Sequence, residues 1–171
     1  MDSSDIKIVR CDEADYWVQI WGFMQDVFRG GDSYPVAPNV TEKEAKAYWF
    51  AEDKITHVAI DAAGTVLGTY YIRPNQPSLG AHICNCGYIV SAASRGRGIA
   101  SLMCLHSQEF GAKQGYRGMQ YNLVVSTNEG AVRLWKKHGF EIIGTLPSAF
   151  NHKDLGYVDA HIMFKQLGSE A

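Results

Sequence analysis

The chain has 171 residues, of which 46% are hydrophobic and 12% aromatic. A chain of this length buries about 70% of its unfolded surface as one domain, so we expect a single globular domain over residues 1–171. Sixteen Lys and Arg against eighteen Asp and Glu give a net charge of −2. The absence of a basic run argues against nucleic-acid binding.

The first part of the sequence predicts a strand, two helices and a hairpin. A short strand at residues 6–9 precedes a helix whose apolar stripe covers residues 17–28 and ends at Gly30 and Gly31. Thr41 and Glu44 form a capping box that starts the second helix. Residues 57–61 and 66–72 are rich in β-branched and aromatic side chains and predict an antiparallel hairpin.

The second part alternates strands with helices. Strands are predicted at residues 81–90, 119–125, 141–146 and 157–165. One helix runs from Gly98 to Gly115, and another opens at Thr127 or Asn128 and ends at Gly139. No repeat or linker divides the chain. This order predicts an α/β fold with a mixed sheet.

Neither a leader nor a membrane segment is expected. Residues 1–5 are acidic and lack a basic stretch followed by an apolar one, and no run of about 18 apolar residues occurs. We therefore expect a cytoplasmic protein.

The cysteines favour buried reduced thiols over a metal site. Four cysteines are too few for a disulfide scaffold, and no second Cys or His pair completes a zinc site. They are Cys11, Cys84, Cys86 and Cys104.

A glycine-rich turn between a predicted strand and helix is suited to binding phosphate. Glycine allows backbone N–H groups to face outward at a helix start, where the helix dipole favours an anion. The pattern is neither a Walker A sequence nor Gly-x-Gly-x-x-Gly, and a plain tight turn is the alternative. The turn consists of Arg95, Gly96, Arg97, Gly98, Ile99 and Ala100.

Two motifs together resemble the GNAT superfamily of acetyl-CoA-dependent N-acetyltransferases. The first is Arg-x-x-Gly-x-Ala at residues 95–100, and the second is Asn-x-x-Ala-x-x-Leu-x-x-x-x-Gly-Phe at residues 128–140. The resemblance is specific over residues 88–144. It implies the GNAT fold, a mixed and mostly antiparallel central sheet flanked by helices, and acetyl-CoA as the cosubstrate with no metal.

The resemblance also implies which residues bind the cofactor. Residues 95–100 would hold the coenzyme A pyrophosphate, and a backbone N–H near Val90 would stabilise the oxyanion. The backbone of Ile89, Val90 and Ser91 would pair with the pantetheine arm. Asn128 would hydrogen-bond the cofactor, although a helix N-cap is an equal alternative.

The sequence departs from the family at the acid and the base. Residues 81–90 contain no carboxylate, whereas many members carry a Glu there, and Trp135 stands where a Tyr often protonates the thiolate. The candidates for these roles are His82, Asn85, Tyr88, Tyr121 and Asn122. A similarity to fungal acetyltransferases of proline analogues implies that Asn85 and Asn122 bind the substrate or activate its amine.

These observations predict acetyl transfer to the amine of a small metabolite, an amino or imino acid being one option. Tyr34, in the loop between the first two helices, is the candidate for the acceptor pocket. The alternatives are a protein or peptide N-acetyltransferase and a non-catalytic acyl-CoA-binding module. Edge strands and a C-terminal hairpin are compatible with a homodimer.

Overall fold

The computed structural model describes residues 6–12 and 15–168, so the acidic segment of residues 1–5 lies outside the described residues. The strands are β1 (Lys7–Cys11), β2 (Ile55–Ile60), β3 (Val66–Pro74), β4 (Ile83–Val90), β5 (Gly118–Val125), β6 (Glu141–His152) and β7 (Gly156–Gln166). The helices are α1 (Trp17–Gly30), α2 (Glu42–Trp49), α3 (Ile99–Lys113) and α4 (Glu129–Lys137).

The strands form one mixed sheet in the order β1-β2-β3-β4-β5-β7-β6. Every neighbouring pair is antiparallel except β4 and β5, which are parallel. The predicted mixed, mostly antiparallel sheet flanked by helices is therefore confirmed. No helix in the described ranges is long and apolar enough to cross a membrane.

Apolar side chains pack the helices onto both faces of the sheet. The core beneath α1 and α2 contains Phe28 and Trp49, and the opposite core, beneath α3 and α4, contains Met103 and Trp135. Side chains alternate between the two faces along each strand. On β3, Tyr70 accordingly joins the α3 core while Tyr71 joins the α1 core.

The helix ends follow the local sequence signals. Thr41 caps α2, and the reciprocal hydrogen bonds with Glu44 complete the capping box. Gly31, at φ 59°, closes α1 in the left-handed conformation that glycine adopts readily. These predictions are confirmed because caps depend on neighbouring residues alone.

Two strand boundaries differ from the predictions. β4 begins at Ile83, two residues later than expected, and β6 continues to His152 instead of ending at 146. Pro147 and Ser148, the latter at φ 53°, fall within a shift of register between β6 and β7. Asp159 Oδ1 accepts the Ser148 N–H at 2.9 Å, which supports this irregular stretch and lets pairing resume beyond it.

Candidate active site

Strands β4 and β5 are joined only at their first residues and then separate. The last residue pair between them is Cys84 with Met119. Where the strands part, the Asn85 side chain bridges the gap, because its Nδ2 donates to the backbone carbonyl of Gln120 at 2.9 Å. Beyond this fork the edge of β4 that faces β5 has no strand partner within residues 15–168, so an extended ligand can pair with it.

The backbone N–H and C=O groups of β4 face the gap only at every second residue. The Ser91 N–H donates to the Leu67 carbonyl at 2.9 Å, so Ser91 is turned toward β3. Backbone groups alternate in direction along an antiparallel pair. Ile89 therefore also faces β3, and Val90 faces the gap. The backbone N–H and C=O of Val90 are thus open to a ligand in the gap, whereas those of Ile89 and Ser91 are directed at β3; pairing of all three residues with a cofactor stays a prediction.

A cavity of about 350 Å³ occupies the gap. Of the candidates from the sequence, those that line it are Tyr34, Asn85, Tyr88, Tyr121, Asn122, Asn128 and Trp135. His82 is exposed and lies outside the lining. The fold thus brings both asparagines of the predicted acceptor site into one cavity.

The glycine-rich turn is open to solvent at the start of α3. Residues 95–98 are exposed, and Gly96 and Gly98 have φ values of +74° and +78°. A Cβ at either glycine would find no atom within 4 Å, so the space above the backbone is free. An anion can approach the N–H groups at the positive end of this 15-residue helix, with Arg95 and Arg97 beside it. The turn therefore fits a pyrophosphate.

Asn128 caps the next helix. Its Oδ1 accepts the Ala131 N–H at 3.2 Å, which confirms the N-cap alternative. The residue also lines the cavity. Its side-chain Nδ2 has no hydrogen-bond partner among the described residues, so capping leaves this donor available to a ligand.

A row of amides crosses the mouth of the fork. Gln120 Nε2 donates to Asn122 Oδ1 at 3.0 Å, and Asn122 Nδ2 donates to Asn75 Oδ1 at 2.7 Å. Asn122 is exposed and links β5 to the segment that follows β3. Asn75 was not among the sequence candidates, because only the tertiary structure brings it to Asn122.

Tyr34 lines one end of the cavity. Its hydroxyl donates to the Tyr88 carbonyl at 2.9 Å, on the free edge of β4. The ring packs against Phe28 and Trp49, and burial raises the pKa of Tyr34 well above its usual value. The hydrogen bond therefore anchors the α1–α2 loop beside the cavity.

The floor of the cavity is aromatic. The Tyr88 hydroxyl lies 2.9 Å from that of Tyr121 and 2.7 Å from Ser107 Oγ. The Trp135 ring lies 5.0 Å from each tyrosine ring. Burial raises the pKa of both Tyr88 and Tyr121 well above the usual value. Neither phenol is therefore a ready proton donor at neutral pH.

Charge in the cavity is limited to one side chain among the described residues that line it. Arg73 is that residue, and no carboxylate accompanies it there. Tyr48 and Tyr71 line the same end. Tyr48 thus lines the cavity beside Tyr34, although the sequence analysis named only Tyr34 as a pocket candidate. The alternation of Tyr71, Arg73 and Asn75 could have indicated a common face of a strand.

A half-buried cation lies behind this aromatic wall. Lys54 Nζ is 3.7 Å from the centre of the Tyr48 ring and 4.1 Å from that of Tyr71, and it donates to the Tyr48 carbonyl. Burial, followed by the charge of Arg73, lowers the pKa of Lys54 to about 8.

The cysteines are free and buried, as predicted. Within residues 6–12 and 15–168, no group of three or more His, Cys, Asp or Glu side chains is placed to hold a metal ion.

Comparison with known proteins identifies the family of this arrangement. Residues 17–140 match the model of the acetyltransferase (GNAT) family. The chain is 33% identical over 149 residues to N-acetyltransferase aca1 of Schizosaccharomyces pombe, a match covering 77% of this chain and 71% of that protein.

Two solved structures illustrate the similarity of fold. A GCN5-related N-acetyltransferase from Kribbella flavida shares 35% identity at a TM-score of 0.91, with 96% of this chain and 99% of that one covered. A phosphinothricin acetyltransferase from Sinorhizobium meliloti, solved with acetyl-CoA, shares 18% identity at a TM-score of 0.83, with 96% and 89% covered. The second similarity concerns the fold alone.

Proposed function

Because the chain belongs to the GNAT acetyltransferase family and is an acetyl-CoA-dependent N-acetyltransferase, we propose that its acceptor is the amine of a small metabolite, an amino or imino acid. The observation that carries this proposal is the α1–α2 loop, which lies over the acceptor end of the cavity through Tyr34. The hydrogen bond from Tyr34 to the Tyr88 carbonyl anchors the α1–α2 loop over it. A cavity of about 350 Å³ is at the small end of the range for ligand pockets.

The cofactor would be held at the open side of the fork. Residues 95–100 would bind the pyrophosphate through backbone N–H groups, and Val90 would pair with the pantetheine arm along the free edge of β4. Acetyl-CoA supplies an acetyl group already activated as a thioester. The Val90 N–H is the donor suited to the oxyanion that develops when the amine attacks.

Asn85 and Asn122 would position the amine. The Nδ2 of Asn85 is engaged with Gln120, which leaves its Oδ1 free to accept an N–H from the acceptor. Asn122 is fixed between Gln120 and Asn75 and can orient the amine or a water molecule beside it. Since no carboxylate lines the described cavity, the amine would react in its neutral form and lose its proton to water.

A protein or peptide acceptor is the rival within the same chemistry, and it would require an open groove. The test is thiol release from acetyl-CoA with free amino and imino acids on one side and peptides with Lys or a free N-terminus on the other. We expect saturable release with the small amines and none above background with peptides. Release with peptides alone would overturn the small-metabolite proposal.

The rival from another class is an acyl-CoA-binding module without activity, which the missing Glu and Tyr would suit. If acetyl-CoA binds and no amine of either kind accelerates thiol release, this rival replaces the proposal.

We also propose a homodimer formed through the β6–β7 hairpin, in a cytoplasmic protein. β6 is an edge strand, and the hairpin exposes Ile143, Leu146 and Tyr157, with 58%, 43% and 73% of their surface accessible. Apolar side chains beside an unpaired strand edge favour self-association. Sedimentation should give twice the monomer mass, and Tyr157→Lys should reduce it. A monomer at micromolar concentration would contradict the proposal.

A further inference from the structure

Arg73 lies opposite the fork on the face of β3 that lines the cavity. It pairs in register with Asn85, the residue that bridges β4 and β5. Tyr71 precedes it by two residues, and Asn75 follows by two. Because side chains alternate along a strand, these three share one face, with about 7 Å between successive positions. All three line the cavity.

The contacts of Arg73 leave one edge of its guanidinium group free. Nε lies 3.1 Å from Asp53 Oδ2 and donates to the Pro74 carbonyl at 3.3 Å. Both partners lie at Nε. The four N–H groups at the two Nη atoms make no hydrogen bond within the described residues, and they form the planar fork that fits a carboxylate. Asp53 is outside the cavity lining, so it orients the guanidinium group without blocking its Nη atoms.

The amide row adds hydrogen-bond donors beside the guanidinium group of Arg73. Each amide in the row donates in the same direction, from Gln120 to Asn122 and from Asn122 to Asn75. The Oδ1 of Asn75 is thereby occupied, while its Nδ2 makes no hydrogen bond in residues 15–168. The row thus ends with an NH₂ group on the same face as Arg73.

The surrounding charge favours an anion at this position. Lys54 adds a second cation behind the rings of Tyr48 and Tyr71. Asp53 is the carboxylate beside these two cations, and it is half exposed. A positive potential stabilises a bound carboxylate and disfavours an ammonium group, and the neutral amine is the form that can attack a thioester.

We propose that Arg73 and Asn75 form an anion subsite that binds a carboxylate of the acceptor and thereby selects amino or imino acids from other small amines. The inference rests on the proposed function, because it concerns the acceptor end of the same cavity. It assigns Arg73 as a specificity-determining residue and Asn75 as its neighbouring donor. Asn85, opposite Arg73, would then face the amine.

The experiment measures kcat/KM for three forms of one acceptor: an amino acid, its carboxamide and the amine that lacks the carboxyl group. The enzyme should prefer the acid by about 10- to 100-fold, which is the range for a hydrogen-bonded charge. Arg73→Gln should reduce kcat/KM for the acid by the same factor and leave the other two acceptors within about threefold. Arg73→Lys keeps the charge but lacks the planar guanidinium group, so its kcat/KM for the acid should lie between those of the unaltered enzyme and Arg73→Gln.

Arg10→Gln is the matched control. Arg10 likewise has an aspartate nearby, at 3.9 Å from Asp12, but it is more exposed than Arg73 and lies on β1 outside the cavity. We expect it to retain the preference for the acid. Asp53→Asn leaves Arg73 in place and keeps the proposal testable if Arg73→Gln fails to fold. Asp53→Asn should maintain or increase the preference for the acid, because the guanidinium group of Arg73 keeps its full charge.

Three outcomes are decisive. Loss of the preference in Arg73→Gln together with its retention in Arg10→Gln supports the subsite. Equal turnover of acid, carboxamide and amine by the unaltered enzyme overturns the subsite and leaves the proposed function standing. Turnover of no small amine overturns both proposals.

Discussion

Gly98→Ala tests the phosphate-binding turn with a single added methyl group. Gly98 is the N-cap of α3 at φ +78°, with no atom within 4 Å of the position of a Cβ. An L-residue in this left-handed conformation costs about 1 to 2 kcal/mol. The same Cβ would extend into the space through which a pyrophosphate approaches the backbone.

Gly64→Ala separates these two effects. Gly64, in the turn between β2 and β3, has φ +79° and an equally open Cβ position. Both variants should therefore lose the same 1 to 2 kcal/mol of unfolding free energy. If the Cβ at Gly98 removes one hydrogen bond to a charged phosphate, it costs a further 1.5 to 3 kcal/mol of binding, or about 10- to 100-fold in Kd.

Calorimetric titration with acetyl-CoA measures the difference. We expect Gly98→Ala to bind at least 10-fold more weakly than Gly64→Ala, while thermal unfolding shifts equally in both. Unchanged affinity in Gly98→Ala, or an equal loss in both variants, would refute the assignment of this turn to phosphate.

Three further predictions concern single side chains. Asn122→Ala should lower kcat about 100-fold with a loss of stability under about 1 kcal/mol, because the side chain is exposed; Asn151→Ala, exposed on β6, is the control, and near-normal kcat would remove Asn122 from the site. Trp135→Phe should keep kcat within about 10-fold and lose about 1 to 3 kcal/mol of stability, because indole has no acidic proton and packs on the cavity floor; a large loss of kcat at unchanged melting temperature would contradict this role. Burial, then the charges of His106 and Arg10, lower the pKa of His57 to about 4, so the unfolded chain binds the additional proton and stability should fall by up to about 3 kcal/mol as the pH drops from 6.5 to 4. His57→Phe should reduce this slope, because phenylalanine does not titrate, and it removes no hydrogen bond, because the buried Nδ1 has no partner among the described residues; denaturant titrations at both pH values would show an unchanged slope if the reasoning is wrong.

The features that the sequence predicted depend on nearby residues. The capping box of Thr41 and Glu44 and the glycine at the end of α1 lie within one helical turn of the boundaries they set. The glycine-rich turn of residues 95–98 is local in the same sense. Such signals can be interpreted from the sequence because tertiary contacts have little influence on them.

The features that the sequence missed depend on distant residues. The extension of β6 beyond Pro147 relies on pairing with β7 and on Asp159, which lies 11 positions from Ser148. Asn75 joins the site through Asn122, 47 positions away. The spacing of residues along the chain does not indicate these contacts, so they could be found only from the folded structure.

Transfer of a labelled acetyl group tests the central claim most directly. Acetyl-CoA carrying a ¹³C-labelled acetyl group would be incubated with the protein and a set of amino and imino acids, and the products resolved by mass spectrometry. The account predicts label on the nitrogen of at least one small acceptor, with free coenzyme A released in equal amount. Label that stays on coenzyme A in the presence of every small amine, although the protein binds acetyl-CoA, would contradict it.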